Sequence, residues 1–261
     1  MRNSGHDIQI LTIGQLSQGQ DWQLRLAHDR PYNLLLWITR GQGRVLIDGS
    51  RRGVGAHNAL FVPTRSLFAL ELGRQSIGHA VLIPDGTSLR LPEIPRHLRI
   101  RDVGVQSELT QLSEAMLRED LSARPLRADA LEAHAALISV WLRRQISLEE
   151  HAMDRRNAAA RLSQAFCGLL PTRYRSGDGM AEYANTLGVT PTHLTRAVKA
   201  ATGRTAADLL TERVTYEARL LLKDTTEPAQ NIAQYLGFGS AAYFTRFMQH
   251  HTGSPPSKLR Q

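Results

Sequence analysis

The sequence predicts an α+β protein with a β-rich N-terminal part, a pair of helices and an all-α C-terminal domain. Short apolar segments with a period of two, separated by turn residues, occupy residues 8–90. Apolar residues recur at three- and four-residue steps between 104 and 148, as in amphipathic helices. Residues 178–260 contain two similar segments at an offset of 49–50 residues. Such an internal repeat indicates a duplicated structural unit.

The N-terminal part is predicted to be a small barrel or jelly roll. Residues 8–13 and 22–27 alternate between apolar and polar, and 33–39 form a continuous apolar run typical of a strand buried on both faces. Further strands are predicted over 44–48, 58–62, 67–72 and 77–83. Seven or more short strands with turn residues between them favour a closed or double-layered β structure. Residues 86–103 are expected to be an irregular connection.

Two motifs in this part resemble those of cupins. They are Gly41-x-Gly43-x-x-x-x-Asp48-Gly49 and Gly55-x-x-x-x-Leu60-Phe61-Val62-Pro63. The resemblance implies a cupin-like β-barrel over residues 1–103 that senses a small-molecule effector. Enzymatic cupins hold a metal through His-x-His, a Glu and a distant His, but His57 and His79 each lack a histidine two residues away. We therefore expect no catalytic residue, cofactor or metal here.

An effector pocket in a barrel should be mostly apolar with a few polar groups. The candidate effector-binding residues are Trp22, Arg25, Trp37, Arg40 and His79. An Arg in such a pocket suits a carboxylated or aromatic-acid effector. The alternative is that both Trp side chains belong to the core and both Arg side chains are solvated.

Residues 104–148 are predicted to be a helical dimerisation segment. Its apolar stripes are Leu109, Leu112 and Met116 on the first helix and Leu137, Ile138 and Trp141 on the second. Packing of these stripes on the barrel is the alternative. Residues 149–159, with His151, Arg155 and Arg156, are charged and Ala-rich and are expected to be a linker. Cys167, the only cysteine, is predicted to be a small core residue of the first helix of the next domain, which Pro171 should end.

Each repeat in the C-terminal domain, 160–261, has the pattern helix, tight turn, helix. In the first copy Gly188 makes the turn, Thr190 is the N-cap and Pro191 occupies the first helical position. In the second copy Gly237 makes the turn and Ser240 is the N-cap. Apolar residues within the segment 205–223 recur at helical steps, so this segment should form one helix between the two copies. The sequence therefore predicts two helix-turn-helix motifs joined by a linker helix.

The outer faces of the two second helices carry hydroxyl, small and basic residues, which suit the major groove of double-stranded DNA. The predicted DNA-binding residues of the first motif are Thr190, Thr192, His193, Thr195, Arg196 and Lys199. Those of the second motif are Ser240, Ala241, Ala242, Tyr243, Thr245, Arg246 and Gln249.

Residues 160–260 resemble the DNA-binding domain of AraC/XylS-type transcription regulators. The resemblance rests on Leu194-x-Arg196, Arg213-Val214-x-x-Glu217-Ala218-x-x-Leu221-Leu222, Asn231-Ile232-Ala233-x-x-Leu236-Gly237-Phe238, Tyr243-Phe244-x-Arg246-Phe247 and Gly253-x-x-Pro256-x-x-x-Arg260. The family usually has Phe-Lys where this chain has Val198-Lys199 and Met248-Gln249. Gln249 removes a positive charge, so the second motif is expected to hold DNA less strongly. The family also implies an effector-sensing domain and a dimerising helix pair.

The positive net charge of the chain favours an anionic binding partner. The formal net charge is +8, with 20 basic and 17 acidic residues in 1–160 but 12 and 7 in 161–261. We therefore expect a cytoplasmic, homodimeric transcription regulator with no membrane segment, whose partners are double-stranded DNA, a small-molecule effector and, as a further candidate, RNA polymerase. The alternatives are a metal-dependent cupin enzyme fused to a DNA-binding domain, and an effector-independent DNA binder.

Overall fold

The protein, seen in a computed structural model, is described over residues 7–122, 124–149 and 157–260. Its backbone divides into two compact units. The first unit comprises the chain up to Asp21, Asp29–Asp48 and the residues from Arg52 through the second long helix. The second unit comprises Trp22–His28, Gly49–Arg51 and the described residues from 157 onward. Two short segments of the region expected to be the sensor, 22–28 and 49–51, are thus grouped with the C-terminal helices.

The strands of the first unit form two sheets. The strands are β1 (Gln9–Thr12), β2 (Tyr32–Arg40), β3 (Gln42–Ile47), β4 (Ser50–Gly55), β5 (Asn58–Val62), β6 (Phe68–Leu72), β7 (Ile77–Pro84) and β8 (Arg96–Arg99). One sheet has the order β1-β7-β2-β5-β8 and the other β4-β3-β6. The first of these sheets is antiparallel throughout, and β3 pairs antiparallel with β6. The hydrogen bonds of the described strands do not join the two sheets into a closed barrel, so the observed architecture is a two-sheet α+β domain.

Two long helices, α3 (Val103–Leu121) and α4 (Arg127–Glu149), pack on the five-stranded sheet. Trp37 of β2 is buried there, donates its Nε1–H to Thr110 Oγ1 at 3.0 Å and meets Trp141 edge-on with ring centroids 6.4 Å apart. Trp37 and Trp141 belong to a cluster of buried apolar side chains from the sheet and both helices. Burial of such side chains contributes about 1.5–3 kcal/mol each.

The apolar stripes that suggested dimerisation mostly belong to that core. Leu109, Met116, Ile138 and Trp141 are at most 1% exposed, and Leu112 packs against them. Leu137, by contrast, is 54% exposed. Most residues of the apolar stripes on α3 and α4 therefore pack on the sheet of their own unit, which was the alternative to dimerisation.

Three local predictions were wrong. Residues 22–25 form a helical turn, α2 (Trp22–Arg25), instead of a strand, and the neighbours Gln23 and Leu24 are both buried, which an alternating strand does not allow. Residues 13–16 form a short helix, α1 (Ile13–Leu16), capped by Thr12. Residues 96–99, expected to be irregular, form β8, in which Leu98 alone is fully buried between polar side chains.

The C-terminal helices are α5 (Ala158–Arg173), α6 (Met180–Thr186), α7 (Pro191–Thr202), α8 (Ala206–Asp224), α9 (Ala229–Tyr235), α10 (Ala241–Thr252) and α11 (Pro256–Leu259). α5 contains Pro171 in its last turn and ends later than expected, because the Tyr174 N–H still donates to Leu170 O at 3.1 Å. A proline this close to the end removes few helical hydrogen bonds. Cys167 is buried in this helix.

The predicted linker, 149–159, lies largely outside the described residues, and so do His151, Arg155 and Arg156. Its last part begins α5, where Asn157 is the N-cap and accepts a hydrogen bond from the Ala160 N–H at 2.9 Å. This cap explains why the helix starts at Ala158.

The long helix α8 forms as expected from the helical periodicity of 205–223. Thr205 and Asp208 make a capping box, in which each side chain accepts from the other's backbone N–H at 3.1 and 2.9 Å. Arg213 is buried with its guanidinium 3.8 Å from the centre of the Tyr174 ring. Segment 22–28 also packs on α8, where the Ala27 N–H donates to Glu212 Oε2 at 2.9 Å.

Candidate nucleic-acid interface

The first helix-turn-helix motif consists of α6, the connecting residues 187–190 and α7. Leu187 is the C-cap of α6, Gly188 has φ +67°, and the Val189 N–H donates to Ala184 O at 3.0 Å. Thr190 then caps α7 by accepting from the His193 N–H at 3.2 Å, with Pro191 in the first turn. The left-handed residue and the cap together fix the angle between the two helices.

The second motif repeats these hydrogen bonds. Gly237 has φ +79°, and the Phe238 N–H returns to Ala233 O at 2.9 Å. Ser240 caps α10 by accepting from the Tyr243 N–H at 3.2 Å. The duplication seen in the sequence is therefore present at the level of single hydrogen bonds.

The ends of the two recognition helices, α7 and α10, also match. Each ends at a left-handed glycine, Gly203 or Gly253, whose N–H donates to a carbonyl four residues earlier. Thr202 and Thr252 each donate a side-chain hydrogen bond to the carbonyl four residues back, at 2.8 and 2.7 Å. Both recognition helices thus have fixed lengths and rigid ends.

One face of each recognition helix is buried and the other faces solvent. Leu194, Ala197 and Val198 anchor α7, whereas Phe244 and Met248 anchor α10. All but two of the thirteen predicted DNA-binding residues are exposed, and Thr195 and Ala241 are half-buried. The structure therefore brings the predicted residues together on two exposed helix faces, one in each motif.

The charged groups on these faces are available to a partner. Arg196, Lys199 and Arg246 form no ion pair within the described part of the chain. Two neighbours are already engaged: Thr245 Oγ1 donates to Ala241 O at 2.9 Å, and Gln249 Nε2 donates to Gly253 O at 3.0 Å. The second face therefore has fewer uncommitted polar groups around its arginine than the sequence suggested.

Arg173 at the end of α5 and the two residues that follow it make different contacts. Arg173 pairs with Asp178, and this hydrogen bond, followed by one from Ser176, lowers the pKa of the Asp178 carboxyl. Tyr174 is buried. Arg175 is exposed and lies 4.8 Å from the ring centre of Tyr235, to whose hydroxyl it donates. Arg175 and Tyr235 form an exposed basic and aromatic pair, and no local pattern indicates a contact between residues 60 positions apart.

The five candidate effector residues are distributed over both units. Trp22 and Arg25 belong to the second unit, whereas Trp37, Arg40 and His79 belong to the first. Trp37 lies in the core directly across from His79 on β7, whose pKa is lowered by burial despite the charge of Glu114. Arg40 is exposed at the end of β2. The first unit thus brings only Trp37 and His79 side by side.

The described residues contain no group of three or more His, Cys, Asp or Glu side chains placed to hold a metal ion. None of their helices combines the length and apolar character that crossing a bilayer requires.

Comparison with known proteins identifies the class of the C-terminal domain. Residues 183–261 match the family model described as "Helix-turn-helix domain". No curated protein matches the chain. Among solved structures, the chain is similar to unsaturated-fatty-acid-bound ToxT from Vibrio cholerae, with 13% identity, coverage of 100% of this chain and 97% of that chain, and a TM-score of 0.44.

Two further solved structures are similar to part of the chain. One is the C-terminal domain of AraT, a response regulator from Geobacillus stearothermophilus, with 25% identity over 41% of this chain and 87% of that chain and a TM-score of 0.37. The other is a Chromobacterium violaceum transcriptional regulator with an AraC-type DNA-binding domain, with 23% identity over 40% and 94% and a TM-score of 0.36.

The tandem motifs and the family match define a helix-turn-helix DNA-binding domain. The order of its motifs, its linker helix α8 and the closing Pro256 and Arg260 resemble those of AraC-type DNA-binding domains.

Proposed function

We propose that the protein controls transcription by binding a bipartite operator half-site through α7 and α10, under the control of a small molecule bound by the first unit. The observation that carries the proposal is the exposure of Arg196 and Arg246 at equivalent positions of two identically capped recognition helices. Arg is the side chain that most often reads guanine, through two hydrogen bonds to O6 and N7.

The side chains next to Arg196 and Arg246 are also of types that contact base edges in the major groove. Thr192 and Thr195 lie near Arg196 on α7, and Ala241, Ala242 and Thr245 lie near Arg246 on α10. Methyl groups of Thr and Ala pack on the thymine methyl, and Thr hydroxyls bond either base edges or phosphates. Thr190 and Ser240 are the exposed N-caps of the two helices. In the proposed complex the first turns of both helices lie near the DNA backbone, since helix N-termini favour phosphate.

The linker helix supports simultaneous docking of both motifs. α8 has 19 residues, so it is roughly 28 Å long at 1.5 Å per residue. With the bodies of the motifs added, the recognition helices are expected to lie about 34 Å apart, close to one turn of B-DNA. The corresponding half-site consists of two short boxes about 10 base pairs apart.

Effector control is proposed for the two-sheet unit as a cupin-like binding module without catalytic activity. Support comes from its surface, where a cleft of about 520 Å³ lies within the size range of small-ligand sites. A homodimer is proposed as well, since Leu121, Leu126 and Leu137 of the helix pair and its connection remain exposed by 54–76%. We place the regulator in the cytoplasm with its DNA, where RNA polymerase is a further proposed partner.

The proposed function is tested by selecting binding sites from random double-stranded DNA with the full-length protein. The expected result is an enriched pair of boxes separated by about 10 base pairs. Enrichment of one box alone, or no enrichment over input, contradicts bipartite recognition. Running the selection with the Arg118→Ala variant as a control, in which an exposed arginine of α3 is removed, should leave the enriched site unchanged.

A further inference from the structure

A cleft in the first unit has an unusual concentration of basic side chains. Its volume is about 520 Å³. Arg52 of β4, His97 and Arg99 of β8 and Arg101 just beyond β8 line it, and all four belong to the first unit. Residues 97, 99 and 101 are two positions apart, so an extended backbone directs their side chains to one side. The strand thus presents a row of basic groups opposite Arg52.

Hydrogen bonds fix the side chains of His97 and Arg99 in this row. His97 Nε2 lies 2.7 Å from Asn58 Oδ1, and Asn58 in turn donates to Ala56 O at 3.2 Å. The Asn58 oxygen therefore accepts, and His97 donates from Nε2. Arg99 NH2 donates to Gly53 O at 3.3 Å, which leaves the other guanidinium nitrogen atoms for a ligand. The basic groups are consequently positioned by the fold.

Three arginines and one histidine line the cleft. Burial, followed by the charges of Arg99 and Arg52, lowers the pKa of His97 to about 4. Asp102 is the one acidic residue among the described lining residues, and its Oδ1 already accepts from the Val105 N–H at 2.9 Å as the cap of α3. An anion beside Arg99 and Arg101 would interact favourably with both guanidinium groups.

The opposite wall is apolar at one end. Ile100 is 8% exposed, whereas Leu148 near the end of α4 is 72% exposed and lies against the cleft, with Gln145 beside it. An exposed leucine next to clustered arginines suits a ligand that has both an anionic and an apolar part. The volume admits a small molecule instead of a macromolecule.

We propose that this cleft binds a small organic carboxylate with an apolar body, in which Arg99 and Arg101 hold the carboxylate and Leu148 contacts the body. Planar guanidinium groups pair with carboxylates through two parallel hydrogen bonds, which favours a carboxylate over a spherical anion. The site differs from the five residues that the sequence suggested for the effector. The inference names the ligand class for the proposed effector module and rests on that function for its biological role.

The test uses the full-length protein without DNA and two matched pairs of probes, benzoate with benzamide and hexanoate with hexanamide. Isothermal titration calorimetry should show saturable binding of at least one carboxylate with one site per chain, and about tenfold or more weaker binding of its neutral amide. Arg99→Ala should weaken carboxylate binding about tenfold or more, because a charge-assisted pair is lost. Arg99→Lys should keep part of the affinity, since the charge remains without the fork.

Arg74→Ala is the matched control, because Arg74 is an exposed arginine of the same unit and does not line the cleft. It should bind the carboxylate as the wild type does, and circular dichroism should show that all variants are folded. The proposal is overturned if neither carboxylate binds, if the amides or inorganic phosphate bind as tightly, or if Arg99→Ala and Arg101→Ala both leave affinity unchanged. Loss of operator binding with intact carboxylate binding would instead overturn the proposed function alone.

Discussion

The imidazole of His28 stacks on the ring of Tyr216, with ring centroids 4.1 Å apart and an interplanar angle of 12°. Both residues are almost completely buried, and His28 Nδ1 lies 2.7 Å from Leu26 O. Trp22 meets the same tyrosine edge-on at 5.5 Å. Tyr216 is therefore the centre of an aromatic cluster that fixes segment 22–28 to the linker helix of the second unit.

Removing this ring should destabilise the second unit strongly. We expect Tyr216→Ala to lower the free energy of unfolding by about 3 kcal/mol or more, since aromatic-to-alanine changes in a core leave a cavity. Tyr243→Ala is the control, because that ring is 55% exposed, and it should cost about 1 kcal/mol or less. Urea denaturation of the full-length protein measures both. Equal losses for the two variants would show that the cluster does not stabilise the fold.

The two turn glycines offer a matched pair. Both have positive φ, so alanine strains the backbone at either site, and Gly188→Ala should cost about 1–2 kcal/mol. At Gly237 an added Cβ would also lie 2.7 Å from Arg175 O and 2.8 Å from Gly177 N, whereas nothing lies within 4 Å at Gly188. Gly237→Ala should therefore cost clearly more than Gly188→Ala in urea denaturation. The reverse order would contradict the close approach of the 175–177 loop to the second turn.

The two recognition arginines should act on different parts of the operator. Arg196→Ala is expected to cost roughly 1–3 kcal/mol in DNA binding and to relax base preference in one box, and Arg246→Ala to do the same in the other. Binding-site selection with each variant measures this. If an arginine contacts only phosphate, its removal should weaken all sequences equally and reduce the salt slope by about one. Relaxation of the same base positions by both variants would contradict separate docking.

Acid should destabilise the first unit through His97. Burial, followed by the charges of Arg99 and Arg52, lowers its pKa from the ordinary histidine value of 6.5 to about 4 in the folded protein. Between pH 6.5 and 4 the unfolded chain binds a proton that the folded chain does not, so stability is lost as the pH falls through this window. In His97→Gln the drop in the urea midpoint between pH 7 and pH 4.5 should be smaller. The exposed His193→Gln should keep the wild-type drop, and an unchanged drop in His97→Gln would contradict the role of burial.

The C-terminal domain could be predicted well because its signals are local. Gly188, Thr190 and Pro191 stand next to each other in the chain, and each acts through the backbone conformation of its own neighbourhood. The second copy, with Gly237 and Ser240 at the equivalent positions, supported the same prediction independently. The exposed faces of α7 and α10 followed directly from the helical period.

The first unit could be predicted less well because its structure depends on distant contacts. β8 has three polar side chains around Leu98, and only pairing with β5 makes it a strand. The cleft at Arg52, Arg99 and Arg101 combines residues from three parts of the chain and has no spacing motif. Similarly, the pairing of Ala27 with Glu212 joins residues 185 positions apart, so no local pattern indicated that segment 22–28 belongs with α8.

The spacing of the operator boxes tests the tandem docking of α7 and α10 most directly. The measurement compares the affinity of the full-length protein for the selected site, for the same site with five base pairs inserted between the boxes, and for a site with one box scrambled. Because α8 is a continuous helix with buried contacts, it should not stretch or rotate by half a turn of DNA. The insertion should therefore reduce affinity about as much as scrambling a box does, on the order of tenfold or more. Unchanged affinity after the insertion would contradict the docking of both motifs in successive major grooves.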